Sequence, residues 1–440
     1  MDINQLFEDT LSYLFDKLPM FSRIGKAALK PDLTNTLKLC EALGNPQHKF
    51  KSIHIAGTNG KGSTSHALAA VLQGEGYKTG LYTSPHLVDF RERIRVNGEM
   101  VDKAWVVQFT EQLKPVIEEI QPSFFEITVA MAFEYFAQQQ VDIAVIETGL
   151  GGRLDSTNVI TPLLSIITNI SYDHKDLLGH ILDAIAGEKA GIMKTDVPCI
   201  VGEQHPETEK VFFDRSVHVK APLYYAENYW DLVKVGGTAF IQSFRAFRMG
   251  DKALFDVETD LNGSYQKQNL KTILTAIELL PHSGIPVDFN RALAALKEVK
   301  RSTGLRGRWD VVSDNPITIC DVGHNEAGIK EIFSQISQVE AKNKLIVTGF
   351  VRDKDVSEVL KLFPKDAKYF LCNAKIPRAM PVDELYGLVT EVGLNAQKYT
   401  SVAEAYTAAK AAAISEDVIL VTGSFFIVGE FLECVEAKER

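Results

Sequence analysis

Short apolar runs, rich in β-branched residues, alternate with stretches of helical periodicity over residues 51–170, and this alternation constrains the fold most strongly. The apolar runs are SIHIAG, KTGLYTS, VDIAVIETG and LLSIITNI, and helical patterns cover residues 65–74 and 105–120. Strands that alternate with helices predict a parallel sheet with crossover helices. Residues 1–50 precede the series and have the apolar spacing of amphipathic helices.

A second series of the same kind follows the polar stretch at residues 301–304, with the runs ITICDVG, KLIVTGF, AKYFLCN and DVILVTGS and a helix predicted from Glu326. The chain has 440 residues, more than the roughly 250–300 at which single cores stop growing. We therefore predict an α/β fold with two domains. Residues 1–300 would hold the parallel sheet, and residues 301–440 would form a Rossmann-like domain.

Composition excludes several classes of protein. The formal charge is -10, so no diffuse positive field would hold nucleic acid or an anionic membrane. The five cysteines lie far apart without metal-ligand spacing, which favours a reducing compartment. Early acidic residues and the lack of a long apolar run argue against a signal peptide or a membrane span. We expect a cytoplasmic protein.

Residues 53–64, IHIAGTNGKGST, place a glycine-rich turn and a lysine between a predicted strand and a helix. Such a turn lets backbone N–H groups converge on phosphate oxygens, while the lysine neutralises phosphate charge. The spacing departs from the standard phosphate loop because Gly62 separates Lys61 from Ser63. A glycine-rich turn with an exposed lysine is the structural alternative. The predicted ATP-binding residues here are Gly57, Thr58, Asn59, Gly60, Lys61, Gly62, Ser63 and Thr64.

Two potential metal ligands, Glu147 and His174, follow predicted strands, and the hydroxyl of Ser84 follows another. Ser84 comes after KTGLYT, Glu147 ends VDIAVIE, and His174 lies beyond LLSIITNI. Open α/β sheets bind ligands at the carboxyl ends of their strands, where these side chains would lie. Each has a structural alternative: Ser84 as part of a turn, His174 as a hydrogen-bonding group, and the GLGG after Glu147 as a dinucleotide turn.

These segments together resemble the folylpolyglutamate synthases and bifunctional dihydrofolate synthases of the Mur ligase superfamily. LGNPQ before IHIAGTNGKGST is similar to the ATP loop of that family, and TSPHL, DHKDLLG, GEKAGIMK, SFFE and DVGHN resemble its other motifs. GFVRDKD at residues 349–355 and VTGSFFIVGE at residues 421–430 extend the match, which runs from about residue 44 to 430. Two departures are Val322-Gly323 in place of the common Gly-Ala, and Arg306 in place of a proline.

The resemblance implies a mechanism and a set of site residues. A Mur-ligase-type ATPase domain would bind ATP and Mg²⁺, with two metal sites held by Ser84, Glu147 and His174, and a monovalent cation is a further candidate. Lys189 of GEKAGIMK would be carbamylated; otherwise it is an ordinary solvated helix lysine. The residues implied to be catalytic are Lys61, Glu147, His174, Lys189 and His324.

Other implied residues would bind nucleotide and substrates. Asn269, Arg308 and Asp321 would contact the nucleotide. The residues expected at the folate or glutamate substrates are Ser123, Phe124, Glu126, Arg153, Asp155, Asn325 and Ser424. A carboxylate such as Asp155 can pair the edge of a pterin. Alternatively, Asp155 caps the turn into Ser156-Thr157-Asn158.

The expected reaction is ATP-dependent ligation of L-glutamate to a folate acceptor through an acyl phosphate, including dihydropteroate as an acceptor. The alternatives are a folylpolyglutamate synthase alone, a Mur peptide ligase, a switch or motor NTPase, and a nicotinamide oxidoreductase built on GLGG. The missing domain of about 100 residues before the phosphate loop counts against a Mur peptide ligase. We expect a monomer whose partners are small molecules: ATP, L-glutamate and folate or dihydropteroate.

Overall fold

The computed structural model describes residues 2–20, 25, 32–352 and 356–439. The chain divides into two compact units. Unit 1 comprises Met1–Pro85, Arg91–Asp260 and Gln266–Leu305, and unit 2 comprises His86–Phe90, Leu261–Tyr265 and Arg306–Arg440. In the described part of the chain, every helix is too short or too polar to cross a membrane.

The main sheet of unit 1 contains eight strands among the described residues. They are β1 (Lys51–Ala56), β2 (Thr79–Tyr82), β3 (Ile94–Val96), β4 (Glu99–Met100), β5 (Ile143–Glu147), β6 (Leu164–Ile167), β7 (Cys199–Val201) and β8 (Leu223–Tyr225). Their order is β4-β3-β2-β5-β1-β6-β7-β8. Strands β2, β5, β1, β6, β7 and β8 pair in parallel, whereas β3 and β4 are antiparallel additions at one edge. Buried on both faces, β1 and β5 have the continuous apolar character expected of inner parallel strands.

Helices join these strands. They are α1 (Ile3–Lys17), α2 (Thr34–Ala42), α3 (Lys61–Gly74), α4 (Lys103–Ile120), α5 (Phe124–Gln138), α6 (Lys175–Leu178), α7 (Leu182–Ala190), α8 (Pro206–Val219), α9 (Gln266–Leu279), α10 (Phe289–Ala295) and α11 (Val299–Thr303). Side-chain caps fix several starts. Asp102, for example, accepts a hydrogen bond of 2.7 Å from the backbone N–H of Ala104 at the start of α4.

A separate antiparallel sheet in unit 1 was not predicted from the sequence. It comprises β9 (Trp230–Gly237), β10 (Gln242–Arg248) and β11 (Leu254–Thr259), in the order β11-β10-β9. Buried and exposed residues alternate along β10, as expected for a sheet with one solvated face. Trp230, the first residue of β9, is fully buried and stacks on Phe289 of α10, with 5.8 Å between the ring centroids.

Unit 2 contains a second sheet. Its strands are β12 (Asp310–Asp314), β13 (Ile317–Cys320), β14 (Lys344–Thr348), β15 (Ala367–Leu371), β16 (Asn395–Lys398) and β17 (Val418–Thr422), in the order β12-β13-β17-β14-β15-β16. Only the β12–β13 pair is antiparallel among these described strands. The helices are α12 (Glu326–Ile336), α13 (Val356–Leu360), α14 (Val382–Glu391), α15 (Val402–Ala412) and α16 (Phe425–Glu439).

The predicted α/β fold class is confirmed, and so are the strand runs and the helix from Glu326. Helix α3 begins at Lys61, four residues before the predicted pattern. Parts of two predicted segments lie outside the described residues. These are residues 21–24 and 26–31 of the amino-terminal helical region, and residues 353–355 of GFVRDKD.

Candidate active site

The loop at residues 57–64, called the phosphate loop below, connects β1 to α3. Gly60 has a φ of 83°, and a Cβ there would lie 2.3 Å from Asn269 Oδ1. Gly57 has a φ of 150°, and its Cβ would lie 1.8 Å from Thr168 Oγ1. Both backbone conformation and space therefore require glycine at these two positions. Within the described residues no side-chain hydrogen bond caps α3, and an uncapped helix start of this kind can bind an anion through its first N–H groups.

Polar residues after β6 hold the phosphate loop in place. Thr168 Oγ1 donates to Asn59 O at 2.5 Å, and Asn59 N donates to Asn169 Oδ1 at 2.8 Å. Thr58 Oγ1 donates to Ser171 O at 3.1 Å. Sequence reasoning missed these supporting residues. The available signal was the polar TNIS directly after a buried strand, at the sheet edge where β1 also ends.

Helix α9 supports the other side of the loop. Asn269 Nδ2 donates to Gln266 Oε1 at 2.7 Å, and Gln266 Nε2 donates to Ser63 Oγ at 3.0 Å. Asn269, which was predicted to contact the nucleotide, therefore lies at the phosphate loop. Gln266 was not predicted. Thr64 is fully buried, and its hydroxyl has no partner in the part of the chain that the structure describes.

Two lysines converge on one carbonyl oxygen of the phosphate loop. Lys61 Nζ donates to Gly57 O at 3.0 Å, and Lys189 Nζ, from α7, donates to the same oxygen at 2.9 Å. Lys189 is only 3% exposed, so the alternative of a solvated helix lysine is wrong. Burial and, second to it, the positive charge of Lys61 lower the pKa of Lys189 to about 7.

Ser84 and Glu147 meet at the carboxyl ends of two neighbouring strands. Tyr82 of β2 is opposite Ile146 of β5, so the residues that follow are adjacent. Ser84 N donates to Glu147 Oε2 at 3.3 Å, and Glu147 is 4% exposed. The hydroxyl and the carboxylate are hard oxygen donors of the kind that Mg²⁺ prefers.

His174, the third predicted metal ligand, lies in the segment after β6, close in sequence to the residues that hold the phosphate loop. It has a φ of 47°, and its backbone N–H donates to Asp173 Oδ1 at 2.8 Å. Within the described residues, no three His, Cys, Asp or Glu side chains form a cluster that could hold a metal ion. The structure therefore pairs Ser84 with Glu147, and the role of His174 as a metal ligand stays a prediction.

Ser123 and Glu126 form a capping box at the start of α5. Glu126 N donates to Ser123 Oγ at 3.2 Å, and Ser123 N donates to Glu126 Oε2 at 2.6 Å. These reciprocal bonds satisfy two N–H groups of the first turn. Phe124 is buried, with 5.3 Å between its ring centroid and that of Phe15, and the Arg93 guanidinium lies 5.3 Å from the same ring.

Asp155 organises the loop at residues 148–155, which follows β5. Its Oδ1 accepts from Thr157 N at 3.0 Å and from Thr157 Oγ1 at 2.5 Å, and its Oδ2 accepts from Leu150 N at 2.8 Å. Asp155 is 5% exposed, and burial raises the pKa of its carboxyl group. These hydrogen bonds are those of a turn cap. The neighbouring Arg153 side chain is exposed and pairs with Glu188 at 2.8 Å.

Asp321 of unit 2 is buried at the end of β13. It accepts hydrogen bonds from Tyr265 Oη at 2.6 Å, from Trp309 N at 2.8 Å and from Gly323 N at 2.9 Å. Burial raises the pKa of the Asp321 carboxyl group, while these donors act in the opposite direction. The carboxylate therefore anchors the DVGHN turn.

The remaining predicted residues of unit 2 surround Phe425 and two helix starts. The Arg308 guanidinium lies 5.2 Å from the centre of the Phe425 ring, and the centroid of the His324 ring lies 5.6 Å from it. Asn325 Oδ1 accepts from Gly328 N at 2.9 Å and caps α12, and Ser424 Oγ accepts from Ile427 N at 3.2 Å and caps α16.

Two family descriptions match the chain. Residues 55–277 match the Mur ligase middle domain, and residues 307–425 match the Mur ligase glutamate ligase domain. The dihydrofolate synthase/folylpolyglutamate synthase of Bacillus subtilis is 32% identical over 434 residues, covering 96% of this chain and 98% of the relative. The folylpolyglutamate synthase of Lacticaseibacillus casei is 30% identical over 437 residues, with 96% of each chain covered.

Solved structures agree with these matches. E. coli FolC in complex with DHPP and ADP has a TM-score of 0.85 and 29% identity, covering 99% of this chain and 98% of that one. Mycobacterium tuberculosis folylpolyglutamate synthase complexed with ADP has a TM-score of 0.88 and 27% identity, covering 99% of each chain. The chain therefore belongs to the Mur ligase family, among the dihydrofolate synthases and folylpolyglutamate synthases.

Proposed function

We propose that this protein uses ATP to ligate L-glutamate to folate acceptors, both in polyglutamylation of tetrahydrofolate and in conversion of dihydropteroate to dihydrofolate. The observation that carries the proposal is the convergence of Lys61 and Lys189 on Gly57 O, in a glycine loop at the amino end of a helix. Relatives whose names include both activities align over nearly the whole chain. This favours two activities over folylpolyglutamate synthesis alone.

The residues of the phosphate loop suit phosphoryl transfer from ATP to a carboxylate. Lys61 Nζ donates to Gly57 O at 3.0 Å and to Thr58 O at 3.2 Å, and it can turn from these carbonyls to a phosphate. The N–H groups at the start of α3 would bind phosphate oxygens. The glutamate amine then attacks the acyl phosphate carbon: the C–N bond forms, the C–O bond to phosphate breaks and phosphate leaves with its electrons, and the amine nitrogen releases a proton. No covalent enzyme nucleophile is needed.

Ser84 and Glu147 would hold Mg²⁺, and we propose His174 as a ligand of a second Mg²⁺. Bound Mg²⁺ would neutralise charge that develops on the transferred phosphoryl group. The buried Glu147 carboxylate, which accepts a hydrogen bond from Ser84 N, fits a divalent cation. A monovalent cation is a further proposed cofactor.

Lys189 is proposed to carry a carbamate. Its amine lies beside Lys61, and because burial lowers its pKa to about 7, a large share is neutral at neutral pH. A neutral amine can attack CO₂: the N–C bond forms, a proton leaves, and the lysine becomes an anion. Carbon NMR in ¹³C-bicarbonate tests this. We expect a carbamate signal that is absent in Lys189→Met, and a plain ammonium at normal bicarbonate refutes it.

The folate acceptor is proposed to bind at Ser123, Phe124, Glu126, Arg153 and Asp155. The side chains of Ser123, Glu126 and Asp155 accept hydrogen bonds from nearby backbone N–H groups. We therefore propose that they fix the shape of the acceptor site. Arg153 offers a positive charge to an anionic acceptor, and the buried Phe124 ring, which packs on Phe15, would give the site an apolar wall.

Unit 1 is proposed as the ATP- and folate-binding domain, and unit 2 as the glutamate ligase domain. Arg308 and Asp321 would serve the nucleotide, and His324, Asn325 and Ser424 would serve phosphate and glutamate. We also propose a cytoplasmic monomer without nucleic-acid or membrane partners, since the net charge is -10.

Product mass spectrometry tests the proposed function. The protein is incubated with ATP, Mg²⁺ and L-glutamate, and with either dihydropteroate or tetrahydrofolate as acceptor. We expect each acceptor to gain one or more glutamates. Product from tetrahydrofolate alone would restrict the function to folylpolyglutamate synthesis. Products from UDP-muramyl substrates, or full ATP turnover without acceptor, would overturn the proposal.

A further inference from the structure

A buried histidine of β1 has no role in the chemistry described above. His54 lies three positions before Gly57 and is 0% exposed. Its Nε2 lies 2.8 Å from Thr157 Oγ1, and Thr157 Oγ1 lies 2.5 Å from Asp155 Oδ1. A continuous hydrogen-bonded chain therefore runs from the strand that leads into the phosphate loop to the carboxylate that organises the 148–155 loop.

The direction of this chain follows from its acceptor end. An ionised Asp155 can only accept hydrogen bonds, so the Thr157 hydroxyl donates its single hydrogen to Asp155. Thr157 Oγ1 must then accept from His54, which fixes the proton on Nε2. The other ring nitrogen, Nδ1, is buried without a partner among the described residues. A cation would be costly at such a position, and burial lowers the pKa of His54 to about 3.

Asp155, whose position depends on Thr157, in turn holds the backbone of two segments. One of its oxygens accepts from Thr157 and the other accepts from Leu150 N. The carboxylate thereby ties the 3₁₀ turn at Ser156–Val159 to the loop that follows Glu147. A shift of Asp155 would move the backbone of that loop, whereas the phosphate loop has its own supports from Thr168, Asn169 and Gln266.

We propose that His54 and Thr157 are positioning residues for Asp155, and that through Asp155 they set the shape of the folate acceptor site. The inference rests on the proposed function. In this proposal His54 and Thr157 act through Asp155 and not through contacts of their own with acceptor or nucleotide. Their loss should weaken acceptor binding and leave ATP binding intact.

The test compares Thr157→Val, which keeps the shape but removes the hydroxyl, with Thr157→Ser, which keeps the hydroxyl. Thr157→Val should raise the KM for dihydropteroate and for tetrahydrofolate about tenfold, the effect of one hydrogen bond to a charged group. The KM for ATP should not change, and Thr157→Ser should restore the acceptor KM. His54→Leu should raise the acceptor KM about threefold, and the effects of the double variant should not be additive.

Thr110→Val is a matched control. Thr110 is also buried, and its Oγ1 donates to Val106 O at 2.9 Å within α4, which holds none of the proposed site residues. It should leave both KM values unchanged. Calorimetric titration with dihydropteroate measures acceptor binding without catalysis, and melting temperatures report stability.

Two results would overturn the inference: wild-type acceptor KM values in Thr157→Val, or acceptor and ATP KM values that rise together as the melting temperature falls. If Thr157→Val does not fold, His54→Leu decides, and an unchanged acceptor KM in a folded His54→Leu refutes the relay. A wild-type protein that ligates neither acceptor defeats the proposed function and this inference with it. An active wild type without selective effects defeats the inference alone.

Discussion

The phosphate loop and the 148–155 loop follow neighbouring parallel strands, β1 and β5, but they are held in different ways. Outside residues support the phosphate loop, chiefly Thr168 and Asn169. In the 148–155 loop, Asp155 supplies the side-chain acceptors for Leu150 N and Thr157, and Glu188 O adds a contact from outside to Arg153 N at 2.7 Å. The phosphate loop thus depends on side chains from other segments, whereas a carboxylate of its own organises the 148–155 loop. The following variants test this difference.

Lys61→Ala should have the largest effect. Its Nζ rests on the Gly57 and Thr58 carbonyls without contributing to the core, so the fold should survive. Loss of a charge that stabilises phosphoryl transfer should reduce ligation by about 10²–10³-fold. Steady-state kinetics and circular dichroism check this, and near-normal turnover would remove the phosphate loop from the mechanism.

Glu147→Gln and His174→Ala should come next, each with a loss of about 10²-fold and a weaker dependence on Mg²⁺. If the two residues act as one metal-binding unit, the double variant should lose little more than either single variant. Magnesium titration of activity and calorimetric Mg²⁺ binding provide the measurement. A wild-type titration in His174→Ala would rule out the second metal site.

Asp155→Ala separates a turn cap from a direct acceptor contact. Because the change leaves Leu150 N and both Thr157 donors without their acceptor, we expect unfolding to become easier by about 2–4 kcal/mol. Ligation of dihydropteroate and of tetrahydrofolate should fall equally. Specificity constants for both acceptors and a melting curve distinguish the cases. A selective loss of dihydropteroate ligation at unchanged melting temperature would instead show a pterin contact.

Thr168→Val tests the outside support of the phosphate loop. The variant removes the donor to Asn59 O but keeps the buried shape. One neutral hydrogen bond corresponds to about a fivefold rise in the KM for ATP, and the acceptor KM should not change. Thr168→Ser is the matched control, since it retains the hydroxyl. A rise in the acceptor KM alone would contradict the division between the two loops.

The sequence predicted those features that local pattern determines. Apolar β-branched runs identified β1, β2, β5, β6, β13, β14, β15 and β17, because inner parallel strands are buried on both faces. The unit 2 strands β12 and β16 were not predicted. The glycines at 57 and 60 identified the phosphate loop. Contacts between distant segments were not predictable. The pairing of Lys189 with Gly57 and the support from Gln266 join residues more than 100 positions apart, and only the fold brings them together. Strands β9–β11 were missed because a strand with one solvated face lacks the continuous apolar run that identified the parallel strands.

Ser123→Ala should have the smallest effect. It tests whether Ser123 stabilises the start of α5 only, or also contacts the acceptor. Ser123 caps the helix through Glu126, so its loss should cost about 1 kcal/mol of stability. That is a fall of a few degrees in melting temperature, with little change in acceptor KM.

Ser123→Asp makes the comparison decisive, because aspartate caps helices as well as serine does but has a different shape and charge. If Ser123 acts only as a cap, Ser123→Asp should recover the melting temperature and keep the wild-type acceptor KM. If its hydroxyl contacts the acceptor, Ser123→Asp should be stable and still bind the anionic acceptor poorly, since a carboxylate would repel it. Melting curves beside acceptor KM values therefore separate the two roles, even though Ser123→Ala alone would weaken both properties slightly.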